Sequence, residues 1–299
     1  MPPQKRLHEE NRLSWNAATE AHNSHKGDQA GYYREGGNQL HPEERDLLGD
    51  IHGLDVVHLQ CNSGQDTLSL AQLGARVTGV DISDTAIEFA RRLSEESGVP
   101  ATFHRADVYD WLEETARSEQ RFDVVYCSYG AICWLSDLTA WARGIAGVLR
   151  PGGRFITVDF HPVWLMMSYD WSRVEYPYFR FGEAGHLTDP NGIGDYVAVE
   201  MATTSDSPPP GVQDFHNPHP IHEFSWGIAD IVGALLDAGL TLTALREYPY
   251  ANSAHYPAMR TIAARRFLPP EDIPTIPLMY GIAARRDAPA GDTREGAAG

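Results

Sequence analysis

The sequence predicts an α/β protein whose core is a Rossmann-like, doubly wound and mostly parallel sheet of seven strands. Three observations predict it. Short apolar runs alternate with stretches of helical spacing five times between residues 55 and 160. A tight turn containing Gly64 follows the first run, and Asp81 ends the second. Alternating strands and helices build parallel sheets, and their ligands bind at the carboxyl ends of the strands.

The first βα unit is predicted as a strand over residues 55–60, the turn Cys-Asn-Ser-Gly and a helix starting at Asp66. The second unit is predicted as a strand over 76–81 and a helix over 85–97, which Ser83 or Asp84 caps. Two such units in succession set the parallel order of the sheet.

Three more strands are predicted at residues 101–106, 122–127 and 155–160, with helices over 108–117 and 134–149. The sequence Arg-Pro-Gly-Gly at 150–153 is a turn signal before the fifth strand. After a helix over 228–238, strands at 240–247 and 278–284 suit a hairpin-like pair at the sheet edge.

We predict one domain over residues 1–286, because chains usually divide into domains only beyond about 250–300 residues. Residues 1–40 are interpreted as a lid, followed by a helix that begins near His41. Residues 163–221, rich in aromatics, glycine and proline and including Pro208–Pro210, form a predicted substrate-capping insertion. Residues 287–299 are predicted to be a disordered tail.

The formal net charge of −17 opposes binding to a nucleic-acid backbone, and the arginine pairs are scattered, although a local basic groove remains an alternative. No apolar run approaches the roughly 20 residues that a membrane helix needs, and the first residues do not resemble a secretory signal. A cytoplasmic protein without membrane or nucleic-acid partners, monomeric or homodimeric, is therefore expected. Cys61, Cys127 and Cys133 are expected to be reduced thiols.

The loops after the strands carry candidate ligand contacts. Gly64 allows close approach of a ligand to the backbone, but the lone glycine disfavours the dinucleotide motif G-x-G-x-x-G. Asp81 is placed to accept hydrogen bonds from ribose hydroxyls, or alternatively to cap the next helix. Asp107 offers a carboxylate to an adenine amine, with a plain turn residue as the alternative.

The ordered segments VVHLQCNSG, VTGVDIS, ADVYD, FDVVYCSYG and LRPGGRFITV resemble a class I S-adenosylmethionine-dependent methyltransferase. The segments LHPEERDLLGDIHG, IVGALLDAGL with REYPY, and IPLMYGIAA resemble a bacterial small-molecule subgroup of type 11 or type 25. In that subgroup the first motif typically carries HLQC as well. Asn62-Ser63 replaces the second glycine of most class I enzymes.

The resemblance implies S-adenosyl-L-methionine as cofactor, S-adenosyl-L-homocysteine as product and methylation of an O, N or C atom of a small molecule. Secondary metabolism is a further expectation. It also implies roles for nine residues: Gln60, Asn62 and Gly64 around the methionine moiety, Asp81 and Ile82 at the ribose, Asp107 and Val108 at the adenine, and Ser128 and Tyr129 beside the sulfonium.

The Tyr32-Tyr33 pair resembles an aromatic lid over the cofactor, with Tyr33 as the expected cofactor contact and packing in the core as the alternative. Aromatic residues of the insertion either form a wall around an aromatic acceptor or fill a core. These residues are Trp164, Trp171, Tyr176, Tyr178, Phe179 and Phe181.

Transfer to a hydroxyl group needs a general base, whereas transfer to a neutral amine needs none. His161, which directly follows the fifth strand, is a candidate base or substrate anchor, with a supporting hydrogen bond as the alternative. His222, which precedes Glu223, and Tyr129 are the other candidate catalytic residues. His216, His219 and His222 alternatively form a metal site or belong to a solvated or substrate-gating loop, and no metal is the primary expectation.

Three other functions remain open from the sequence. They are a non-catalytic S-adenosylmethionine-binding protein, a nucleic-acid or protein methyltransferase, and non-methylating chemistry in the same pocket. The loop after the fourth strand reads Cys-Ser-Tyr-Gly at 127–130, unlike the Asn/Asp-Pro-Pro-aromatic pattern that resembles amino-directed DNA enzymes.

Overall fold

The computed structural model describes residues 3–179, 186–204 and 210–288. Its main sheet has seven strands in the order β3-β2-β1-β4-β5-β11-β8. The first five strands of that order are parallel, and β11 runs antiparallel to both β5 and β8. The seven strands are β1 (Asp55–Leu59), β2 (Arg76–Asp81), β3 (Thr102–Arg105), β4 (Phe122–Ser128), β5 (Leu149–Phe160), β8 (Leu240–Tyr248) and β11 (Met279–Arg286). The predicted fold class and the edge hairpin are confirmed.

The carboxyl ends of the central strands meet at one edge of the sheet. Val56 of β1 pairs with Val77 of β2 on one side and with Val124 of β4 on the other. The predicted ligand-binding loops therefore follow neighbouring strands on the same edge. The fifth strand is longer than predicted, because the Pro-Gly-Gly turn at 151–153 continues the pairing with β4 through an irregularity.

Helices cover both faces of the sheet, as the alternation of side chains along each strand requires. Val57 faces a core shared with α6, α7 and α9, whereas Val56 faces a core shared with α3 and α4. The helices are α1 (Lys5–Ser24), α2 (Gln29–Arg34), α3 (Pro42–Leu48), α4 (Gln65–Gln72), α5 (Asp84–Ser97), α6 (Val108–Arg117), α7 (Leu138–Val148), α8 (Tyr196–Thr204) and α9 (Ile228–Asp237). The predicted helix over 134–149 is shorter, because a 3₁₀ turn at Ile132–Trp134 precedes α7.

The predicted lid over residues 1–40 consists largely of α1 and α2. The inward face of α1 is unusually polar and contacts both the strand-edge loops and the insertion. Asn11 donates to the carbonyl of His222 and accepts from its amide, and the Asn23 amide donates to Ser63 Oγ at 2.8 Å. Hydrogen bonds, more than apolar packing, therefore hold this helix over the site.

The insertion contains β6 (His186–Asp189) and α8. Strand β6 pairs antiparallel with β7 (Ile221–Phe224), which begins at the last residue of the insertion. A second hairpin, β9 (Arg260–Ala263) and β10 (Arg266–Leu268), lies in the segment that we predicted to be a Pro-rich loop. Pro208, Pro209 and Phe181 lie outside the described residues.

Most of the predicted disordered tail, residues 289–299, lies outside the described residues. Asp287 is held in place, since its carboxylate accepts a hydrogen bond from Thr241 Oγ1 at 2.6 Å. Within the described part of the chain, no helix has the length and apolar character needed to cross a membrane.

Candidate functional site

Two adjoining cavities lie at the carboxyl edge of the sheet. The strand-edge cavity, about 330 Å³, is bounded by the loops after β1, β2, β3 and β4 and by α1. The insertion cavity, about 550 Å³, lies between the ends of β4 and β5 and the insertion. Seven residues line both cavities: Trp15, Tyr129, Gly130, Trp134, Tyr196, Asn252 and Arg265. The arrangement suits two ligands that meet near the loop after β4.

The turn after β1 is held in a strained shape without a glycine-rich sequence. Gln60 and Asn62 both have left-handed backbone angles, with φ of 55° and 47°. The Asn62 side chain accepts from the amide of Ser63 at 2.6 Å, a local bond that stabilises such a turn. Gln60 Nε2 donates to the carbonyl of Ala131, while its Oε1 is buried with no protein partner among the described residues. Strained turns of this kind cluster at ligand sites.

Asp81 joins the ends of β1 and β2. Its Oδ2 accepts from the amide of Asn62 at 2.7 Å, and its Oδ1 accepts from the amide of Ser83 at 2.8 Å. Burial raises the pKa of this carboxyl, although the backbone donors oppose the rise. Ser83 is the N-cap of α5, since its hydroxyl accepts from the amide of Ala86. Asp81 is therefore not needed as a cap and lines the strand-edge cavity.

Asp107 lines the same cavity, but its carboxylate already accepts hydrogen bonds from other residues of the protein. It caps α6 by accepting from the amide of Tyr109 at 2.9 Å, and it also contacts His8 Nδ1 at 2.7 Å and Lys5 Nζ at 2.9 Å. Burial would raise its pKa, but the hydrogen bonds from His8 and Lys5 outweigh burial and lower the pKa to about 2. Asp107 is thus the N-cap of α6 rather than a plain turn residue, whatever its part in binding a ligand.

Ser128 is the last residue of β4, and Tyr129 follows it directly. Ser128 Oγ donates to Asp66 Oδ2 at 3.4 Å, and Tyr129 Oη donates to Glu44 Oε2 at 3.3 Å. The strand-edge cavity brings together eight predicted site residues: Gln60, Asn62, Asp81, Ile82, Asp107, Val108, Ser128 and Tyr129.

Two predicted contacts do not line either cavity. A Cβ added to Gly64 would lie 2.7 Å from Ala90 Cβ, so this glycine serves a left-handed turn packed closely against α5. Close approach of a ligand to the backbone at Gly64 stays a prediction. Tyr33 is fully buried in a core with Leu68 and donates to the carbonyl of Gln65 at 2.7 Å. Its position matches core packing, the alternative to a cofactor lid.

The two predicted histidine bases also lie outside the cavity linings. His161 Nε2 contacts Glu247 at 3.0 Å, and its Nδ1 accepts from the amide of Val163. His222 Nε2 contacts Glu10 at 2.6 Å, and its Nδ1 contacts His186 at 3.0 Å. Both ring nitrogens of each histidine are thus engaged in structural contacts, which favours a supporting role, and their assignment as bases stays a prediction.

His216, His219 and His222, the alternative metal site, are not arranged around a common point. His216 is exposed and bonds to the carbonyl of Asp214, while His222 is committed to Glu10. Across residues 3–179, 186–204 and 210–288, no group of three His, Cys, Asp or Glu side chains is arranged to hold a metal ion.

Several residues of the site carried no recognisable sequence signal. Lys26, in the loop after α1, and Asp66, in the first turn of α4, line the strand-edge cavity. Arg265, in the turn between β9 and β10, lines both cavities. Glu44 is buried beneath them, and burial, with the nearby Asp66 charge, raises its pKa to about 8. Each comes from a separate part of the chain, so spacing alone does not reveal them.

Aromatic side chains make up much of the lining of the insertion cavity, but only some of the aromatic residues predicted to form it take part. Tyr178 lines it, whereas Trp164 and Trp171 are buried in a core beside it. Tyr176 and Phe179 are exposed. The remaining aromatic lining comes from elsewhere in the chain: Trp15, Tyr129, Trp134, Phe160, Tyr196, Phe224, Trp226 and Tyr280.

Comparison with known proteins points to one family. Residues 56–153 match the family model described as a methyltransferase domain. The ubiquinone biosynthesis O-methyltransferase of Methylobacterium sp. (strain 4-46) is 33% identical over 119 residues, which cover 39% of this chain and 46% of that protein. The protein of the same name from Proteus mirabilis (strain HI4320) is 32% identical over 121 residues, 39% of this chain and 47% of its own length. The chain thus spans about half the length of these curated relatives.

Solved structures confirm the fold. The CcbJ methyltransferase from Streptomyces caelestis superposes with a TM-score of 0.55 at 14% identity, covering 93% of this chain and 99% of its own. A putative S-adenosylmethionine-dependent methyltransferase from Listeria monocytogenes gives a TM-score of 0.52 at 18% identity, covering 82% and 96%. The family match and the fold together confirm the resemblance inferred from the sequence motifs.

Proposed function

We propose that this chain, which carries a bacterial-type class I S-adenosylmethionine-dependent methyltransferase domain, transfers a methyl group from S-adenosylmethionine to an oxygen atom of a small molecule. The observation that carries the proposal is the pair of adjoining cavities whose linings meet at Tyr129 and Gly130. One cavity suits a nucleoside with an amino-acid arm, and the other suits a compact apolar acceptor.

The strand-edge cavity fits the methyl donor residue by residue. The buried, unpartnered Oε1 of Gln60 is an acceptor suited to the ammonium of the methionine arm. Lys26 supplies a cation suited to the carboxylate. Asp81 uses one backbone donor on each oxygen and retains lone pairs for ribose hydroxyls. Ile82 and Val108 provide apolar surface for the adenine.

The bound cofactor supplies a methyl group on a positively charged sulfur, and this chain's own residues supply position. Alignment of two reactants can account for about 7–11 kcal/mol of barrier reduction. Tyr129 is held at the junction by Glu44 and packs against Phe160 at 5.8 Å between ring centroids. We infer that these rings fix the acceptor and exclude water from the junction.

The acceptor that suits the insertion cavity is aromatic or amphipathic. Its volume of about 550 Å³ lies within the range of drug-sized ligand pockets, about 300–1,000 Å³. Its lining combines rings with a few polar groups, among them Asn252, Ser253 and His255. The curated relatives are named as O-methyltransferases of ubiquinone biosynthesis, which supports oxygen as the methylated atom.

Other properties remain proposals from the sequence. The net charge of −17 supports a small-molecule acceptor over a nucleic acid. A role in secondary metabolism, a cytoplasmic location and a monomeric or homodimeric state are part of the same proposal.

The proposal is tested by incubating the purified chain with S-adenosylmethionine and a panel of phenols, alcohols, amines and carboxylic acids. The expected result is S-adenosylhomocysteine formed in proportion to a methylated product that mass spectrometry detects. Tight cofactor binding without turnover of any acceptor favours a non-catalytic cofactor-binding protein. An acceptor-dependent product without a mass gain favours non-methylating chemistry.

A further inference from the structure

We propose that His255 accepts the proton of the acceptor's hydroxyl group, and hence that the acceptor is an alcohol or phenol bound in its neutral form. The inference rests on the proposed function and adds to it the catalytic base and the chemical class of the reacting group. It also replaces His161 and His222, whose nitrogens are engaged elsewhere.

His255 lies in the loop after β8 and lines the insertion cavity. Its imidazole packs edge-on against Phe160 at 4.5 Å and against Trp164 at 5.5 Å between ring centroids. Phe160 in turn packs against Tyr129, which lines both cavities. The imidazole is therefore held by rings on the acceptor side of the junction.

One nitrogen of His255 is held and the other is available. Nε2 lies 2.8 Å from Ser253 Oγ. Nδ1 is not fully buried and has no hydrogen-bond partner among the described residues. The tautomer that donates from Nε2 to Ser253 leaves the lone pair of Nδ1 free to accept a proton. Ser253 thus acts as a positioning residue for the imidazole.

The surroundings keep His255 uncharged before reaction. Burial lowers its pKa to about 4, so the imidazole is neutral near pH 7. Asp159 also lines the cavity, but its oxygens accept from the amides of Gly130, Ile132 and Phe160. Arg265 is a cation and has no basic lone pair to offer. Within the described lining, His255 is the sole histidine.

The methyl transfer needs no further reactant. As the hydroxyl oxygen of the acceptor forms its bond to the methyl carbon, its proton passes to Nδ1 of His255. The electron pair of the broken carbon–sulfur bond stays on sulfur. The positive charge moves from the sulfonium to the imidazolium, so the cavity's net charge does not change. The same sulfonium disfavours premature protonation of His255 by repulsion.

A binding comparison tests the hydroxyl contact without turnover. The probes are 2-naphthol and 2-methoxynaphthalene, titrated into the protein saturated with S-adenosylhomocysteine. One hydrogen bond predicts that 2-naphthol binds roughly fivefold more tightly to the wild-type protein. His255→Phe, which keeps a ring against Phe160 and Trp164, should abolish the difference. The matched control His104→Phe, at an exposed histidine outside both cavities, should retain it.

Equal binding of the two probes to the wild-type protein overturns the proposal, as does failure of 2-naphthol to bind or unchanged discrimination in His255→Phe. If that variant does not fold, Ser253→Ala replaces it, and a misaligned imidazole should at least halve the discrimination, whereas no change again overturns the proposal. Failure of S-adenosylhomocysteine itself to bind would instead count against the proposed function.

A kinetic comparison separates proton transfer from binding. With 2-naphthol, His255→Phe should lower kcat by about 10²- to 10⁴-fold, a much larger change than in KM. With a nitro-substituted naphthol that is ionised at the assay pH, kcat should change much less, because no proton has to be removed. An equal loss with both acceptors would overturn the assignment of His255 as base. If 2-naphthol is bound but not turned over, the binding comparison decides.

Discussion

His8 Nδ1 lies 2.7 Å from Asp107 Oδ2, which ties the N-terminal helix α1 to the loop after β3. The other ring nitrogen of His8 lies 2.7 Å from Ser136 Oγ, and the ring stacks on Tyr109 at 5.3 Å. The Asp107 carboxylate, which the sequence predicts as a ligand contact, therefore also binds helix α1 through His8. Its charge should contribute to the stability of the fold.

We predict that Asp107→Asn lowers the free energy of unfolding at pH 7 by roughly 2 kcal/mol, from a folded-state pKa of about 2 against an ordinary value of 3.8. Asparagine caps helices nearly as well as aspartate, so the change removes mainly the charge. Because the folded-state pKa is depressed, this stability is present above about pH 4 and is lost as pH falls towards 2. Urea denaturation of both proteins at pH 7 and pH 3 measures it, and an equal gap at both values would contradict the account.

For Glu44 we predict a contribution to the free energy of unfolding that falls as pH rises, opposite to that of Asp107. Burial raises its pKa to about 8, so the folded protein holds a proton that the unfolded chain releases above about pH 4.5. Wild-type stability relative to Glu44→Gln should therefore fall as pH rises from about 4.5 to 8, by up to about 1.4 kcal/mol per pH unit. Denaturation of both proteins across that range checks the slope. A rising relative stability would mean that Glu44 is ionised beside Tyr126.

Two glycines with similar backbone angles allow the energetic cost of backbone strain to be distinguished from the cost of a steric clash. Gly64 and Gly98 both have left-handed φ, 81° and 72°, but only at Gly64 would a Cβ lie within 3 Å of a neighbour, Ala90 Cβ. Alanine should cost about 1 kcal/mol at Gly98 and a further 1–3 kcal/mol at Gly64. Thermal or chemical denaturation compares the variants. Equal losses would show that the close packing of α4 on α5 relaxes easily.

Substitution of His161 tests whether this histidine, rather than His255, acts as the catalytic base. Its contacts with Glu247 and the amide of Val163 hold the end of β5, outside both cavities. His161→Gln should lower thermal stability while leaving kcat of the folded protein within about threefold of the wild-type value, since no proton-transfer role is lost. Steady-state kinetics on protein verified as folded checks this, and a loss of about 100-fold would restore His161 as a candidate base.

The local sequence pattern was sufficient to predict the strands of the sheet and the loops that follow them. The apolar runs ending in Gln60, Asp81 and Cys127 predicted three strands and placed their carboxyl ends at one edge of the sheet. Helix α6 (Val108–Arg117) was predicted to the residue. These features depend on neighbours in the sequence, which is why periodicity and turn chemistry reveal them.

Contacts between distant segments were not predictable in the same way. The chain gives no local sign that His255 faces the insertion cavity while His161, directly after β5, turns to Glu247. Tyr33 likewise belongs to the core because α2 folds against α4 and α5. Helix α1 within the predicted lid has no apolar periodicity to reveal it, because its buried face is polar.

We expect the strand-edge cavity to bind S-adenosylmethionine through Asp81, and calorimetric titration measures this binding. S-adenosylmethionine and S-adenosylhomocysteine are titrated into the wild-type protein and into Asp81→Ala, with Asp123→Ala as a carboxylate control outside both cavities. We predict micromolar binding that weakens at least tenfold, about 1.4 kcal/mol, in Asp81→Ala and stays unchanged in the control. Failure of the wild-type protein to bind either ligand would contradict the account.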